Sequence, residues 1–223
     1  MNARYARNLP ALTEEECLIL RSKLVLVVGC GGLGGHIIDQ LARIGIGGIR
    51  AVDGDVFEET NLNRQLLSEV PLLGTGKAKS AADRVHRVNP DVTMEFVDAF
   101  LTEENAAELL AGCDAVLDAL DNIESRKILA SACENAGIPY VYGAISGWVA
   151  QAALSKPGDM LIEALYPDGI EIPDKSVLSF TPALCASLQT SLCVKYLVGR
   201  PVEAGTVYYF DLLNLEYETI PFL

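Results

Sequence analysis

The sequence predicts a doubly wound α/β fold, a mostly parallel sheet covered by helices and carrying an antiparallel extension at its C-terminal end. Three observations predict it. Short apolar runs alternate with helical stretches from Leu24 to Tyr142. A glycine-rich turn, Gly29 to Gly34, joins the first run to the first long helical stretch. After Gly143 the alternation gives way to strand-like segments joined by loops. Alternating β and α units of this length require parallel strands joined by crossover helices.

Thr13-Glu14-Glu15-Glu16 reads as a capping box opening a short helix. Leu24 to Val28 is continuously apolar, as expected of a parallel strand covered on both faces. His36 to Ile44 has helical periodicity, and Ile49 to Asp53 reads as the second strand. Lys77 to Val88 is helical and stops at Asn89-Pro90, because the residue before proline is pushed out of the helical region. Thr93 to Val97, Ala115 to Asp118 and Tyr140 to Tyr142 are strands, with helices from Glu103 to Leu110 and from Ser125 to Asn135 between them. Beyond Gly143, strands are expected at Trp148 to Leu154, Thr206 to Asp211 and Leu215 to Ile220, with an apolar helix from Pro182 to Leu197. Ser155 to Phe180, rich in Pro and Gly, is expected to be a loop over the ligand crevice.

Half of the 223 residues are hydrophobic, which suits a single domain, 1–223, with a substantial core. The net charge of −13 argues against nucleic-acid binding, which needs basic patches to displace counterions. No apolar run approaches the roughly 18 residues of a membrane span, and the N-terminal segment lacks the apolar stretch of a secretory signal, so a cytoplasmic protein is expected. The six cysteines form no CxxC pair. Free, buried thiols are expected, and no zinc.

In a doubly wound sheet the ligand crevice lies beyond the carboxyl ends of the strands, so Gly29–Gly34, Asp53–Asp55 and Asp118–Asn122 should converge there. Gly29, Gly31, Gly32 and Gly34 supply a backbone that a phosphate can approach, at a helix N-terminus with free N–H groups. Asp53, 19 residues beyond Gly34, ends the next strand, where a carboxylate accepts hydrogen bonds from a ribose. To this point the pattern is a Rossmann-like dinucleotide fingerprint.

Beyond Asp53 the chain departs from a dehydrogenase. Asp55, then Asn61-Leu62-Asn63-Arg64-Gln65, come directly after the second strand, and Lys77 opens the next helix. Two cations beside a phosphate turn suit a triphosphate, whose oxygens repel a nucleophile unless neutralised. The alternative for Arg64 and Lys77 is a solvated surface pair. Asp118 and Asp121, with Asn122 beside them, are placed to hold Mg2+ at a strand tip, while Asp121 or Asn122 could equally cap the following helix.

In conjunction these pieces resemble the ThiF/MoeB/HesA family, bacterial relatives of ubiquitin-activating enzymes. The matching residues are Arg4-Tyr5-Ala6-Arg7-Asn8, the Gly29–Gly34 loop, Asp53-Gly54-Asp55, Asn61–Gln65, Gly76-Lys77, Asn89-Pro90, Asp118–Asn122 with Arg126, Ile138-Pro139 and Ser187-Leu188-Gln189. They occur in family order over nearly the whole chain. The resemblance implies ATP and Mg2+ as cofactors. The loop glycines would take the phosphates, Asp53 the ribose, and Asn61, Arg64 and Lys77 the phosphates, with Asp121 on Mg2+. Asp55 and Asn122 would complete the nucleotide site. It further implies a homodimer in which Arg7 enters the partner subunit's site, and adenylation of the C-terminal glycine of a small ubiquitin-like sulfur carrier ending in Gly-Gly. Many relatives carry two CxxC pairs for structural zinc, absent here. The crossover stretch near Asp174-Lys175-Ser176 has no cysteine to form a covalent carrier adduct, so sulfur would come from a separate donor.

Three rivals stand beside this reading. One is an NAD(P)-dependent oxidoreductase, allowed by the glycine turn and Asp53 but disfavoured by Arg64, Lys77 and the Asp118–Asp121 pair. Another is a non-catalytic nucleotide-binding partner subunit, disfavoured by the full set Arg7, Arg64, Lys77 and Asp121. The last keeps the adenylation but changes the acceptor to a tRNA base or a peptide; the acidic balance weakens the tRNA version.

Overall fold

The structure, a computed structural model, describes residues 3–167, 170 and 176–221. An eight-stranded sheet has the order β3-β2-β1-β4-β5-β6-β7-β8. Strands β1 (Leu24–Val28), β2 (Gly48–Val52), β3 (Thr93–Val97), β4 (Ala115–Asp118) and β5 (Tyr140–Ser146) are parallel. Strands β6 (Val149–Ser155), β7 (Thr206–Asp211) and β8 (Glu216–Pro221) continue the sheet antiparallel. The doubly wound core and its antiparallel extension are therefore as the sequence predicts.

Helices α1 (Glu14–Leu20), α2 (Gly32–Ile44), α3 (Lys77–Val88) and α7 (Phe180–Leu197) cover one face; α4 (Glu103–Leu110), α5 (Ile123–Ala136) and α6 (Leu161–Leu165) cover the other. β1 shows why its sequence is continuously apolar. Val25 and Val27 enter the core under α2 and α7, and Leu26 and Val28 enter the core under α4 and α5. The α1 capping box forms as expected, with the Thr13 side chain accepting from the Glu16 amide.

Two expectations are corrected. The fifth strand runs on to Ser146, because it pairs along its full length with β6 through a tight turn at Gly147. The predicted loop from Ser155 to Phe180 contains α6, which buries Leu161 and Ile162. Five residues preceded closely by Pro157 and Gly158 are too short to show periodicity. Residues 168, 169 and 171–175 of that stretch, including most of the crossover segment near Asp174-Lys175-Ser176, lie outside the described residues. No helix among the described residues is long and apolar enough to cross a membrane.

The N-terminal 3-10 segment, Ala3–Asn8, docks at the far end of the sheet from the strand tips. Asn8 Nδ2 donates to the carbonyl of Ile44 at 3.0 Å, at the C-terminus of α2. Asn89, fully buried, donates from Nδ2 to the Tyr5 hydroxyl and to the carbonyl of Ala42. Asn89-Pro90 thus does more than stop α3: it pins the N-terminal segment to α2.

Candidate functional site

Register brings the predicted segments together. Val28 at the end of β1 pairs with Val52 on one side and Asp118 on the other. The residues just beyond these three tips surround a cavity of about 420 Å³. The chain leaves β1 toward β2 and later returns on its other side to β4, so the cavity occupies the switch point of the sheet. Gly29, Gly31 and Gly32, Asp53 and Asp55, Arg64, Lys77, and Asp121 with Asn122 all line it.

The loop glycines divide by physical role. Gly29 has φ +97°, and a Cβ there would sit 2.5 Å from the Ala119 carbonyl oxygen. A Cβ on Gly34 would collide with the Gly29 carbonyl. Those two glycines serve the turn and the close approach of α2, and Gly34 does not line the cavity. Gly32 differs: its Cβ would meet nothing nearer than 3.6 Å. Packing does not demand glycine there, whereas a phosphate approaching the backbone would. The α2 N-terminus has no side-chain cap, so its N–H groups remain available to an anion.

Asp53 is fixed rather than free. Its Oδ2 accepts the Cys30 amide at 2.6 Å and its Oδ1 accepts the Asp55 amide at 2.8 Å. Burial pushes its carboxyl above the usual range, against the pull of those amides and of Lys77. Lys77 is 7% exposed, and its Nζ donates to Asp55 Oδ2 at 3.0 Å. A surface cation is therefore the wrong picture for Lys77: it is a cavity-wall ammonium held by one carboxylate. Arg64 is half-buried, and its Nη1 donates to the Thr60 carbonyl and to Asn63 Oδ1, both at 2.9 Å. Both acceptors are neutral, so among the described residues its charge is left for the cavity.

At the tip of β4 the two aspartates part company. Asp118 is 0% exposed and its Oδ2 accepts from Arg126 Nη1 at 2.8 Å and from the Tyr140 hydroxyl. Its expected share in an Mg2+ site is corrected: its carboxylate is already satisfied inside the core. Asp121 is exposed at the cavity edge. Asn122 is the N-cap of α5, its Oδ1 accepting the Ser125 amide at 2.8 Å.

Besides Gly34, two predicted residues lie away from the cavity lining. Asn61 is buried, and its Oδ1 accepts the Glu58 amide at 3.0 Å, closing the turn that presents Arg64. Arg7 is exposed at the opposite end of the sheet, separated from its own cavity by α2, a 13-residue helix and so roughly 20 Å long. The lining also includes residues to which the sequence alone assigns no role. Gln65 is 7% exposed, its Oε1 is unpartnered among the described residues, and its one signal is its place in the Asn61–Gln65 run. Phe100, Leu101 and Tyr166 carry no motif. Phe100 is placed by Gly54, where a Cβ would meet the ring at 2.9 Å.

All six cysteines are free and buried. Burial pushes the Cys185 and Cys193 thiols up to about 12, so neither forms a thiolate at neutral pH.

A sequence match to the ThiF family runs over residues 5–222. The chain belongs to the ThiF family. Among relatives of this ThiF-family chain, the SAMP-activating enzyme E1 of Haloferax volcanii is 37% identical over 91% of this chain and 78% of its own length. The sulfur carrier protein adenylyltransferase of Thermus thermophilus is 33% identical over 97% of this chain and 86% of its own. The chain also matches the probable adenylyltransferase/sulfurtransferase MoeZ of Mycobacterium tuberculosis at 33% identity, spanning 98% of this chain but only 59% of that protein. Of solved structures, E. coli MccB with ATP superposes with a TM-score of 0.82 over 99% of this chain and 71% of that one, at 20% identity, a likeness of fold.

Proposed function

We propose that this chain adenylates the C-terminal glycine carboxylate of a small ubiquitin-like sulfur-carrier protein, using ATP and releasing pyrophosphate. The observation that carries this reading is the composition of one cavity: a glycine turn on an uncapped helix N-terminus, a fixed Asp53, the cations Arg64 and Lys77, and Asp121. The names of the relatives supply the substrate class, since they activate SAMP or sulfur-carrier proteins. Hydride transfer to or from a nicotinamide makes and breaks no bond at phosphorus, so it gives Arg64 and Lys77 no developing phosphoryl charge to offset, and the oxidoreductase reading is not favoured.

In this reading the carrier carboxylate attacks the α-phosphorus and pyrophosphate leaves with the bonding pair, giving an acyl-adenylate. Asp53 accepts from the ribose hydroxyls, and the Gly31–Gly32 backbone receives the phosphates. Arg64 and Lys77 offset charge gathering on the phosphate oxygens, where positioned donors act without reorganisation. Asp121 is the residue that would hold Mg2+, which would add a Lewis acid beside the phosphates. Asn61 acts by shaping the turn under Arg64, and Asp55 by orienting Lys77. Arg7, remote from its own cavity, would serve the partner subunit's site in a homodimer. The chain would work as one domain in the cytoplasm, without zinc and without a cysteine nucleophile.

The test is ATP–pyrophosphate exchange with a panel of purified carriers ending in Gly-Gly, alongside thermal-shift titrations with MgATP and with NAD(H). Exchange that depends on a carrier and its terminal glycine supports the reading. Stabilisation by NAD(H) alone, with no exchange, would sink it.

A further inference from the structure

Arg126 contributes to the cavity wall and forms, with Asp118 behind it, an ion pair that the adenylation chemistry does not use. Arg126 is 4% exposed and Asp118 0% exposed. Arg126 Nη1 donates to Asp118 Oδ2 at 2.8 Å and to the Gly143 carbonyl of β5 at 2.9 Å, while Nη2 donates to the Leu120 carbonyl at 2.5 Å. Asp118 Oδ1 in turn accepts the Leu120 amide at 2.8 Å. Leu120 is thus held at both its N–H and its C=O, and the next residue is Asp121. From the other side, Gln189 of α7 donates to the Asp118 carbonyl at 2.7 Å. The rings of Tyr142 and Tyr166 lie 5.2 and 6.0 Å from the guanidinium carbon.

A buried ion pair is a poor way to gain stability, because both charges leave water and apolar residues of the same volume often do as well. What the pair supplies is direction. A planar guanidinium fixes the angles of several hydrogen bonds at once, and here those bonds end on three backbone or carboxylate groups around one loop. A lysine would carry the charge without the fork.

We infer that Arg126 is a positioning residue for Asp121: through Asp118 and the two polar groups of Leu120, it sets where the Asp121 carboxylate stands at the cavity edge. The inference rests on the proposed role of Asp121 toward the nucleotide. Arg126 need not touch ATP. It keeps the loop 119–122 in one conformation, so that Asp121 needs no reordering when the nucleotide arrives.

The experiment compares wild type, Arg126→Lys, Asp121→Asn and the double variant in carrier-dependent pyrophosphate exchange, with amide hydrogen exchange read at residues 120–122. Arg126→Lys should lower kcat about 10–100-fold, the scale of a misplaced group, and speed amide exchange in the loop. In the Asp121→Asn background the same change should cost little more, because the two residues act in series. Full kcat in folded Arg126→Lys, or losses that multiply in the double variant, would overturn the inference. If Arg126→Lys does not fold, Tyr140→Phe serves instead, since it removes one donor from Asp118 and leaves the ion pair. It should loosen the loop amides and lower kcat several-fold, and unchanged loop protection there would overturn the inference. A wild-type chain without any exchange activity counts against the proposed function alone, because the loop amides still report whether Arg126 holds residues 120–122.

Discussion

Lys77 Nζ meets Asp55 Oδ2 at 3.0 Å in the wall of the cavity, and the Lys77 amide also donates to the Asp55 carbonyl at 2.9 Å. The first turn of α3 is thereby stitched to the segment after β2, which presents the ammonium beside the glycine turn. Arg64 reaches the same cavity from a different turn and, among the described residues, with no carboxylate attached.

These two settings predict different costs. Arg64→Ala and Lys77→Ala should each lower carrier-dependent pyrophosphate exchange by about 10²–10³, the usual cost of losing one transition-state donor. Arg64→Ala should melt close to wild type. Lys77→Ala should also lose some thermal stability, since it removes a buried side chain and leaves Asp55 unpaired. Differential scanning calorimetry beside the exchange assay checks both, and normal turnover per folded molecule in either variant would remove that residue from catalysis.

Asp53 should act on binding more than on turnover. A ribose contact is made equally in ground and transition states, so Asp53→Ala should raise the KM for ATP and leave kcat nearly unchanged. Because the same carboxylate holds the Cys30 and Asp55 amides, the variant should also loosen the glycine turn, visible as faster amide exchange at Cys30. A drop confined to kcat would contradict the ribose assignment.

Arg7 predicts complementation. Mixing Arg7→Ala and Asp121→Ala subunits should restore part of the activity, because a heterodimer would contain one site with both residues intact. Heterodimers demonstrated by mass spectrometry yet without exchange activity would exclude sites shared between subunits.

Acid should weaken the clamp between α1 and the segment after α7. Hydrogen bonds from Arg200 at 2.6 and 2.7 Å, aided by the Thr13 amide, lower the Glu16 carboxyl from its ordinary 4.5 to about 2. The folded-state value is depressed, so the stabilisation is complete above the unfolded value and is lost as pH falls from about 4.5 toward 2. Glu16→Gln should have a lower Tm than wild type near neutral pH, and the gap should close across that window. A gap independent of pH would mean that the contact works through packing and not charge.

Much of this protein was legible in its sequence because the relevant signals are local. Strand β1 is apolar at every position, the glycine turn comes directly after it, and Thr13 and Glu16 cap a helix from three residues apart. Such patterns are set by backbone geometry and solvent exposure within a few residues. They therefore announced the parallel sheet, the cavity at its switch point, and Gly29, Asp53, Lys77 and Asp121 around it.

Tertiary structure decided what each charge does once it is there. Asp118 and Asp121 lie three positions apart and look alike in sequence, yet register puts Asp118 inside the sheet against Arg126 and Tyr140 and leaves Asp121 at the cavity edge. For Lys77 the sequence left a solvated surface pair as the alternative, and it is Asp55 and the cavity wall closing around the ammonium that remove it. Phe100, Tyr166 and Gln65 reach the cavity from separate elements and share no motif. The physical reason is that a charge in water and a charge in a wall differ in solvation and in partners, and partners distant in the chain are chosen by strand register and helix packing, which no stretch of neighbouring residues encodes.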